Sequence, residues 1–228
     1  VAKVVGMQTD QIIETQDGSH SILSYKYGVS YHSKYGAITE SRHVFIQAGL
    51  YPQLVSSSKV DILEIGLGTG LNAFLSFLEA EKKDLQLYYE GIEAYPLSAA
   101  QYNALNYPEL LKLPEHKSHF IQLHESPWGE DIPMSEHFTF RKTRQLIEEM
   151  DKTEAFDVIY FDAFAPSAQP ELWEEKVLAK MYKALRPQGI LVTYCAKGVV
   201  KRRLKGLGFT VESLPGPPGK REMTRAVK

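Results

Sequence analysis

The stretch Glu64-Ile65-Gly66-Leu67-Gly68-Thr69-Gly70-Leu71-Asn72 decides the fold. Before it runs Val60-Asp61-Ile62-Leu63-Glu64-Ile65, a short β-rich segment bounded by the glycines. After it comes Asn72-Ala73-Phe74-Leu75-Ser76-Phe77-Leu78, which reads as a helix. A strand that passes into a helix through three alternating glycines is a βα turn built to let backbone approach a ligand closely.

The spacing here is G-x-G-x-G. A pyrophosphate-binding turn would read G-x-G-x-x-G, with the anion on the helix N-terminus. An acid, Glu64, stands two residues before the first glycine. That combination suits the sulfonium and amino-acid end of S-adenosylmethionine, which carries no phosphate. A purely structural turn or a different nucleotide stays open on the loop alone. The candidate cofactor contacts are Glu64, Gly66, Gly68, Thr69, Gly70 and Asn72.

Outward from the loop, strands and helices alternate. Gln86 to Glu93 reads as the next strand and Leu97 to Leu105 as a helix. Phe156 to Asp162 is a strand, followed by a helix from about Glu171 to Ala184. Gly189 to Tyr194 is another strand and Val199 to Leu207 another helix. Repeated βα units predict an α/β fold with a mostly parallel, doubly wound sheet. Glu93 lies 23 residues beyond Gly70, where such folds place a carboxylate on the ribose hydroxyls. Asp162 opens Asp162-Ala163-Phe164-Ala165-Pro166 at the carboxyl end of a central strand, the edge at which open α/β sheets bind ligands. It is the candidate catalytic residue, or else a helix N-cap. Phe164 and Pro166 are candidates for a wall against a planar base, continued by Pro170 and Leu172; Trp173 reads as packing on the sheet.

Ahead of this core, Gln11 to Thr15 and Ser21 to Tyr25 flank Asp17-Gly18 and predict a β-hairpin. A Tyr-, Ser- and Gly-rich loop over 27–36 leads to a helix with Thr39 as a plausible N-cap. The expected organisation is a hairpin and helix layer over 1–50 packed on a core over 51–228. The proline-bearing stretch 106–141 reads as an insertion that covers the site.

The 228 residues are 43% hydrophobic and 24% charged, which argues against disorder as the main state. No apolar run approaches the ~20 residues of a membrane span. Val1 to Gly6 carries no apolar core of a leader peptide. A single cysteine, Cys195, excludes an intrachain disulfide and a Cys-rich metal site, so a reducing, cytoplasmic setting with no metal is expected. The net charge of −2 hides an asymmetry. Residues 197–228 hold nine Lys/Arg against two acids, a net +7 that leaves −9 for the rest. A basic end on an acidic body points to a polyanion met on one face, or to a solvated terminal helix and loop.

Several segments together resemble the methyltransferase domain family of the bacterial bifunctional tRNA-modifying protein MnmC and its stand-alone relatives. They are Tyr31-His32-Ser33, Glu40-Ser41-Arg42-His43-Val44-Phe45, the glycine loop, Asp162-Ala163-Phe164-Ala165-Pro166, Arg186-Pro187-Gln188-Gly189, Val200-Lys201-Arg202-Arg203-Leu204, Gly208-Phe209 and Lys220-Arg221-Glu222-Met223. The resemblance implies a Rossmann-like class I fold and S-adenosylmethionine as methyl donor. It further implies methylation of 5-aminomethyl-(2-thio)uridine at the tRNA wobble position, with the anticodon region as partner. Bifunctional members also carry an FAD-dependent oxidase, which a chain stopping at Lys228 would leave to another protein. One position departs from the family: Lys142 falls where relatives carry an adenine-binding acid.

In this frame Asp162 would orient the attacking amine and take part in removing its proton. Phosphate contacts would fall to Lys197, Lys201, Arg202, Arg203, Lys220 and Arg221, and base platforms to Tyr31, His32, Arg42 and Phe164. Rival expectations are a small-molecule amine N-methyltransferase or an aminopropyltransferase-like enzyme on the same fold. A nicotinamide-dependent oxidoreductase would need the missing glycine spacing. An RNA-binding domain with a vestigial pocket is the alternative outside catalysis.

Overall fold

The computed structural model describes residues 9–55 and 57–228, so the leader-peptide reading at Val1 to Gly6 lies outside the described residues. Strand β1 (Gln11–Glu14) pairs antiparallel with β2 (His20–Leu23) across a turn with Gly18 at φ +83°. Helix α1 (Ala37–Ser41) follows, widens into a π-type segment over Arg42–Leu50, and ends in α2 (Tyr51–Gln53). The alternating core is β3 (Lys59–Ile65), α3 (Leu71–Lys83), β4 (Gln86–Ile92), α4 (Ala99–Asn103), α5 (Tyr107–Leu110), α6 (Lys117–Glu125), β5 (Ile132–Pro133) and β6 (Phe138–Thr143). It continues with β7 (Phe156–Phe161), α7 (Glu175–Ala184), β8 (Leu185–Thr193), α8 (Gly198–Gly206), β9 (Thr210–Pro215) and β10 (Glu222–Val227).

Eight of these strands form one sheet in the order β5-β6-β4-β3-β7-β8-β10-β9. The run from β6 to β8 is parallel, and β10 enters antiparallel between β8 and β9. This is the Rossmann-like class I arrangement. Strand order reverses at β3, so the carboxyl ends of β3 and β7 open a crevice, and the glycine loop sits in it. Alternation along the strands feeds two apolar layers. Val60, Ile62, Val158 and Tyr160 face one side with Val44, Phe45, Phe74 and Phe120; Leu63, Ile65, Ile159 and Phe161 face the other with Trp173, Leu178 and Leu204. Hairpin residue Ile22 and Ala37 to Leu50 belong to the first layer, so the N-terminal elements share the core of the sheet.

Four expectations need correction. Thr39 is not the N-cap: α1 begins at Ala37 after Gly36, and the cap comes from the hairpin turn. The amides of Ala37 and Ile38 donate to Ser19 Oγ at 3.0 and 3.3 Å, and Thr39 donates from N and Oγ1 to Asp17 Oδ2 at 2.9 and 2.8 Å. The stretch 106–141 supplies α5, α6 and β5, and its end enters β6, so it forms the crossover from β4 to β6; none of it lines the cleft described below. The helix expected from Glu171 starts at Glu175, after a 3-10 turn over Pro170–Trp173. The basic C-terminal segment is no solvated tail, because Thr210–Pro215 and Glu222–Val227 form a hairpin within the sheet. Among the described residues no helix is long and apolar enough to cross a membrane.

Asp17 also accepts hydrogen bonds from Ser19 N and Thr15 Oγ1 at 3.0 and 2.9 Å, and from Ser19 Oγ. Partial burial opposes its ionisation, but the bonds from Ser19 and Thr39 prevail and bring its pKa down to about 2. A depressed carboxylate stabilises the fold above its unfolded pKa of about 4, and the gain is lost as pH falls through about 2. Asp17→Ala is therefore expected to cost about 1–3 kcal/mol in urea unfolding near neutral pH. The difference from wild type should shrink in strong acid.

Candidate active site

The cleft above β3, β4 and β7 has a volume of about 340 Å³. Its floor is the glycine loop. Gly66, Gly68 and Gly70 have φ of +86°, +50° and +73°, a region that L side chains avoid. At Gly68 a Cβ would stand 3.0 Å from the Tyr31 ring, and at Gly66 one would stand 3.0 Å from Asp162 O. The loop is tied across the sheet by Gly66 N and Leu67 N, which donate to Ile92 O at 3.0 and 3.2 Å. The Gly68 amide donates to Glu93 Oε2 at 2.9 Å, while Tyr95 N donates to Glu93 Oε1 at 2.7 Å.

Two further carboxyl groups meet at one amide. Asn72 Nδ2 donates at 2.8 Å to Glu64 Oε1 and at 2.8 Å to Asp162 Oδ2. Glu64 is buried under the loop, with its other oxygen lacking a hydrogen-bond partner, and does not line the cleft. Burial first, and the Asp162 charge second, push its pKa well above the carboxylate range. Asp162 does line the cleft. Burial raises it to about 7, with Glu40 pushing the same way and Asn72 and Lys220 opposing. Two acids sharing one donor cannot both ionise readily, so the pair holds a proton near neutrality.

Tyr31, His32, Gly66, Gly68, Thr69, Asn72, Glu93, Asp162 and Phe164 line the cleft. Phe164 lies 4.9 Å from the Tyr31 ring and 4.7 Å from Tyr27, whose hydroxyl accepts from Gln169 Nε2 at 3.0 Å. His32 is buried between Ser21 Oγ (3.2 Å) and Thr69 Oγ1 (3.4 Å), and burial lowers its pKa to about 4, so it is neutral. Gly70 instead backs onto His124, and Pro166 and Arg42 lie outside the cleft. Trp173 is buried, packs on Phe161 and donates to Phe164 O at 2.8 Å, while Leu172 lines the cleft.

Lys142 does not line the cleft. It shares the buried side of β6 with Phe138 and Phe140, its ammonium donates to His124 O and sits 4.5 Å above the Trp128 ring, and burial lowers its pKa to about 8. Past the end of β6, Gln145 and Glu148 are the polar side chains that reach the cleft. The strand's alternation, which places Lys142 inward, was the signal available in the sequence for this shift of position. Lys26, Tyr27, Tyr95 and Gln169 also line the cleft and had no motif to mark them.

Of the basic residues, none lines the cleft among Lys197, Arg202, Arg203, Lys220 and Arg221. Lys201 pairs with Glu222 at 2.9 Å, Arg203 donates to Trp173 O at 2.8 Å, and Lys220 pairs with Glu40 at 2.7 Å. Lys197, Arg202, Lys205 and Arg221 are exposed.

The charge of the lining identifies what fits. Glu93, Glu148, Asp162 and Glu171 face the space with one cation, Lys26. That balance favours a cationic ligand and opposes a pyrophosphate. S-adenosylmethionine, a sulfonium cation, fits that balance; Glu93 stands just past the end of β4, and each of its oxygens keeps a second lone pair.

Residues 130–228 match a family model described as S-adenosyl-L-methionine-dependent methyltransferase. The tRNA 5-methylaminomethyl-2-thiouridine biosynthesis bifunctional protein MnmC of Leptospira borgpetersenii is 32% identical over 88% of this chain and 32% of its own length. Its namesake in Aromatoleum aromaticum is 30% identical over 92% of the chain and 34% of its own. The chain thus spans about a third of the length of these curated relatives. Among solved structures, MnmC2 of Aquifex aeolicus superposes with a TM-score of 0.78 at 25% identity, covering 97% of this chain and 71% of that one. Spermidine synthase of Thermotoga maritima superposes at 0.54 and 15% identity, over 96% of this chain and 68% of that one, and shares the fold.

An acid held near neutrality by burial has a raised pKa, so its contribution to stability is full below about pH 4 and lost as pH rises through about 7. Asp162→Asn should therefore leave the melting temperature nearly unchanged at pH 4 and raise it progressively towards pH 8. A pH-independent difference in thermal melts would contradict this charge assignment. In sequence and in fold, the chain is similar to the MnmC proteins, and its residues 130–228 match the S-adenosyl-L-methionine-dependent methyltransferase family.

Proposed function

We propose that this domain transfers a methyl group from S-adenosylmethionine to the primary amine of 5-aminomethyl-(2-thio)uridine at the wobble position of tRNA, giving 5-methylaminomethyl-(2-thio)uridine. The observation that carries it is the coincidence of two facts. Similarity to the MnmC proteins runs over nine-tenths of the chain, and the residues it includes converge on an acid-lined cleft with Asp162 at its edge.

When bound, the cofactor supplies an electrophilic methyl on a positively charged sulfur. Glu93 would hold the ribose and the loop of Gly66, Gly68 and Thr69 the amino-acid end. Glu64 and Asn72 would act beneath them by fixing Asp162. An alkylamine is mostly protonated at neutral pH, and only its neutral form has a lone pair to attack. Asp162, titrating near 7, is matched to accept a hydrogen bond from that amine and to receive the proton it sheds. One N–C bond forms, one C–S bond breaks, and one proton leaves. Most of the rate advantage would come from holding the amine in line with the methyl. Phe164, with Tyr27 and Tyr31 behind it, offers an aromatic face for the flipped base. Exposed Lys197, Arg202 and Arg221 would meet backbone phosphates in the anticodon region. The FAD-dependent oxidation that yields the aminomethyl group would come from a separate domain or protein.

Label from methyl-labelled S-adenosylmethionine should appear in the methylaminomethyl nucleoside when the domain is incubated with tRNA bearing the aminomethyl uridine. Asp162→Ala should abolish transfer while cofactor binding persists, and Arg202→Glu with Arg221→Glu should flatten the salt dependence of tRNA affinity by roughly one in slope per lost phosphate contact. Label on free small amines with none in tRNA would overturn the assignment in favour of a small-molecule enzyme.

A further inference from the structure

Glu40 belongs to α1 and Lys220 to the turn before β10, 180 residues apart, yet they form a largely buried ion pair next to the cleft. Glu40 is 6% exposed; its Oε1 accepts from Lys220 Nζ at 2.7 Å and its Oε2 from Ser33 N at 3.0 Å. The same ammonium lies 3.9 Å above the Tyr194 ring. Tyr194 in turn donates from its hydroxyl to Ala163 O at 2.7 Å, one residue past Asp162. The pair is therefore wired to the Asp162 loop through a cation–π contact and a hydrogen bond. A buried pair of this kind is weak evidence for stability, because desolvation offsets most of its attraction. Its place beside an acid that must change protonation state gives it another use.

We propose that Glu40 and Lys220 are a positioning pair that sets the charge on Asp162 as it meets the substrate amine, and that Lys220 is not a phosphate contact. The inference rests on the amine methylation argued above. The groups facing Asp162 are few. Asn72 on α3 donates to it, Glu64 on β3 shares that donor, and Tyr89 on β4, Tyr107 on α5 and Tyr194 just past β8 lie within its electrostatic reach. Burial raises all three tyrosines above their usual pKa, so they stay neutral. The charges that can act on Asp162 are then Glu64, Glu40 and Lys220. Glu40 disfavours the carboxylate and Lys220 favours it. Held together, they oppose one another, with Glu40 the stronger of the two. Separated, they would push Asp162 in opposite directions.

That opposition supplies the test. With ¹³Cγ-labelled aspartate, the Asp162 resonance is identified by its loss in Asp162→Asn and followed through a pH titration. Glu40→Gln should lower the midpoint and Lys220→Met should raise it, each by about half a pH unit or more, less than the 1–3 units of a directly contacting charge. Lys220→Arg should keep the wild-type midpoint, and the double variant Glu40→Gln/Lys220→Met should return towards it. The acid limb of kcat/KM for methyl transfer should move in the same directions. If Lys220→Met does not fold, Glu40→Gln against the double variant decides the question. Unmoved midpoints, or single variants that shift the same way, would overturn the positioning role. Opposed midpoints in a wild type that transfers no methyl to the amine would support the pair and overturn the proposed reaction instead.

Discussion

One amide holds the site together. Asn72, in the first turn of α3, spends its two donor hydrogens on carboxylates from two different strands, Glu64 of β3 and Asp162 after β7. Those strands are neighbours at the point where strand order reverses, so the bond closes the crevice that the topology opens. The glycine loop can pass over the pair only because no Cβ projects from Gly66 towards the Asp162 carbonyl. Burying two acids on one donor is costly, and the cost shows as raised pKa values for both. The result is a carboxyl that changes charge near neutrality at the edge of a cation-accepting cleft.

The outer elements serve the same place. The hairpin turn caps α1 through Asp17 and Ser19, which fixes the helix that carries Glu40. The C-terminal hairpin inserts β10 beside β8 and brings Lys220 to the same edge. Elements from both ends of the described chain therefore meet in the Glu40–Lys220 pair, and Tyr31 and Phe164 pack edge to face in the cleft. Folding of the whole chain, not of the βα core alone, is needed to set the charge in the cleft.

Much of this was legible in the sequence, for identifiable reasons. The glycine loop and the strands Val60–Ile65, Gln86–Ile92 and Phe156–Phe161 could be read locally because hydrophobic runs and glycine spacing are local signals. Three features were hidden because they depend on distant partners. Asp17 caps a helix twenty residues away, β10 pairs with β8 across a long connection, and Lys220 turns inward to Glu40. Glu64 looked like a ligand contact because its spacing from the glycines fits one; burial beneath the loop gives it a supporting place. The charged C-terminal segment read as a polyanion-binding face or a solvated terminal helix and loop because its charge, not its periodicity, is its local signal. Met223, Thr224 and Ala226, which alternate poorly, are nonetheless buried in a strand.

The central claim is that the Asn72-bridged acids tune the cleft to a positive charge. It is tested most directly by comparing affinity for the sulfonium cofactor with affinity for its neutral thioether product across pH. The two ligands differ only by the transferred methyl and the charge it confers, and the methyl does not titrate, so the pH dependence of their ratio reports the charge on sulfur. Preference for the sulfonium should grow as pH rises through about 7, where Asp162 ionises, and this growth should vanish in Asp162→Asn. A wild-type preference that stays flat across that range would contradict the account.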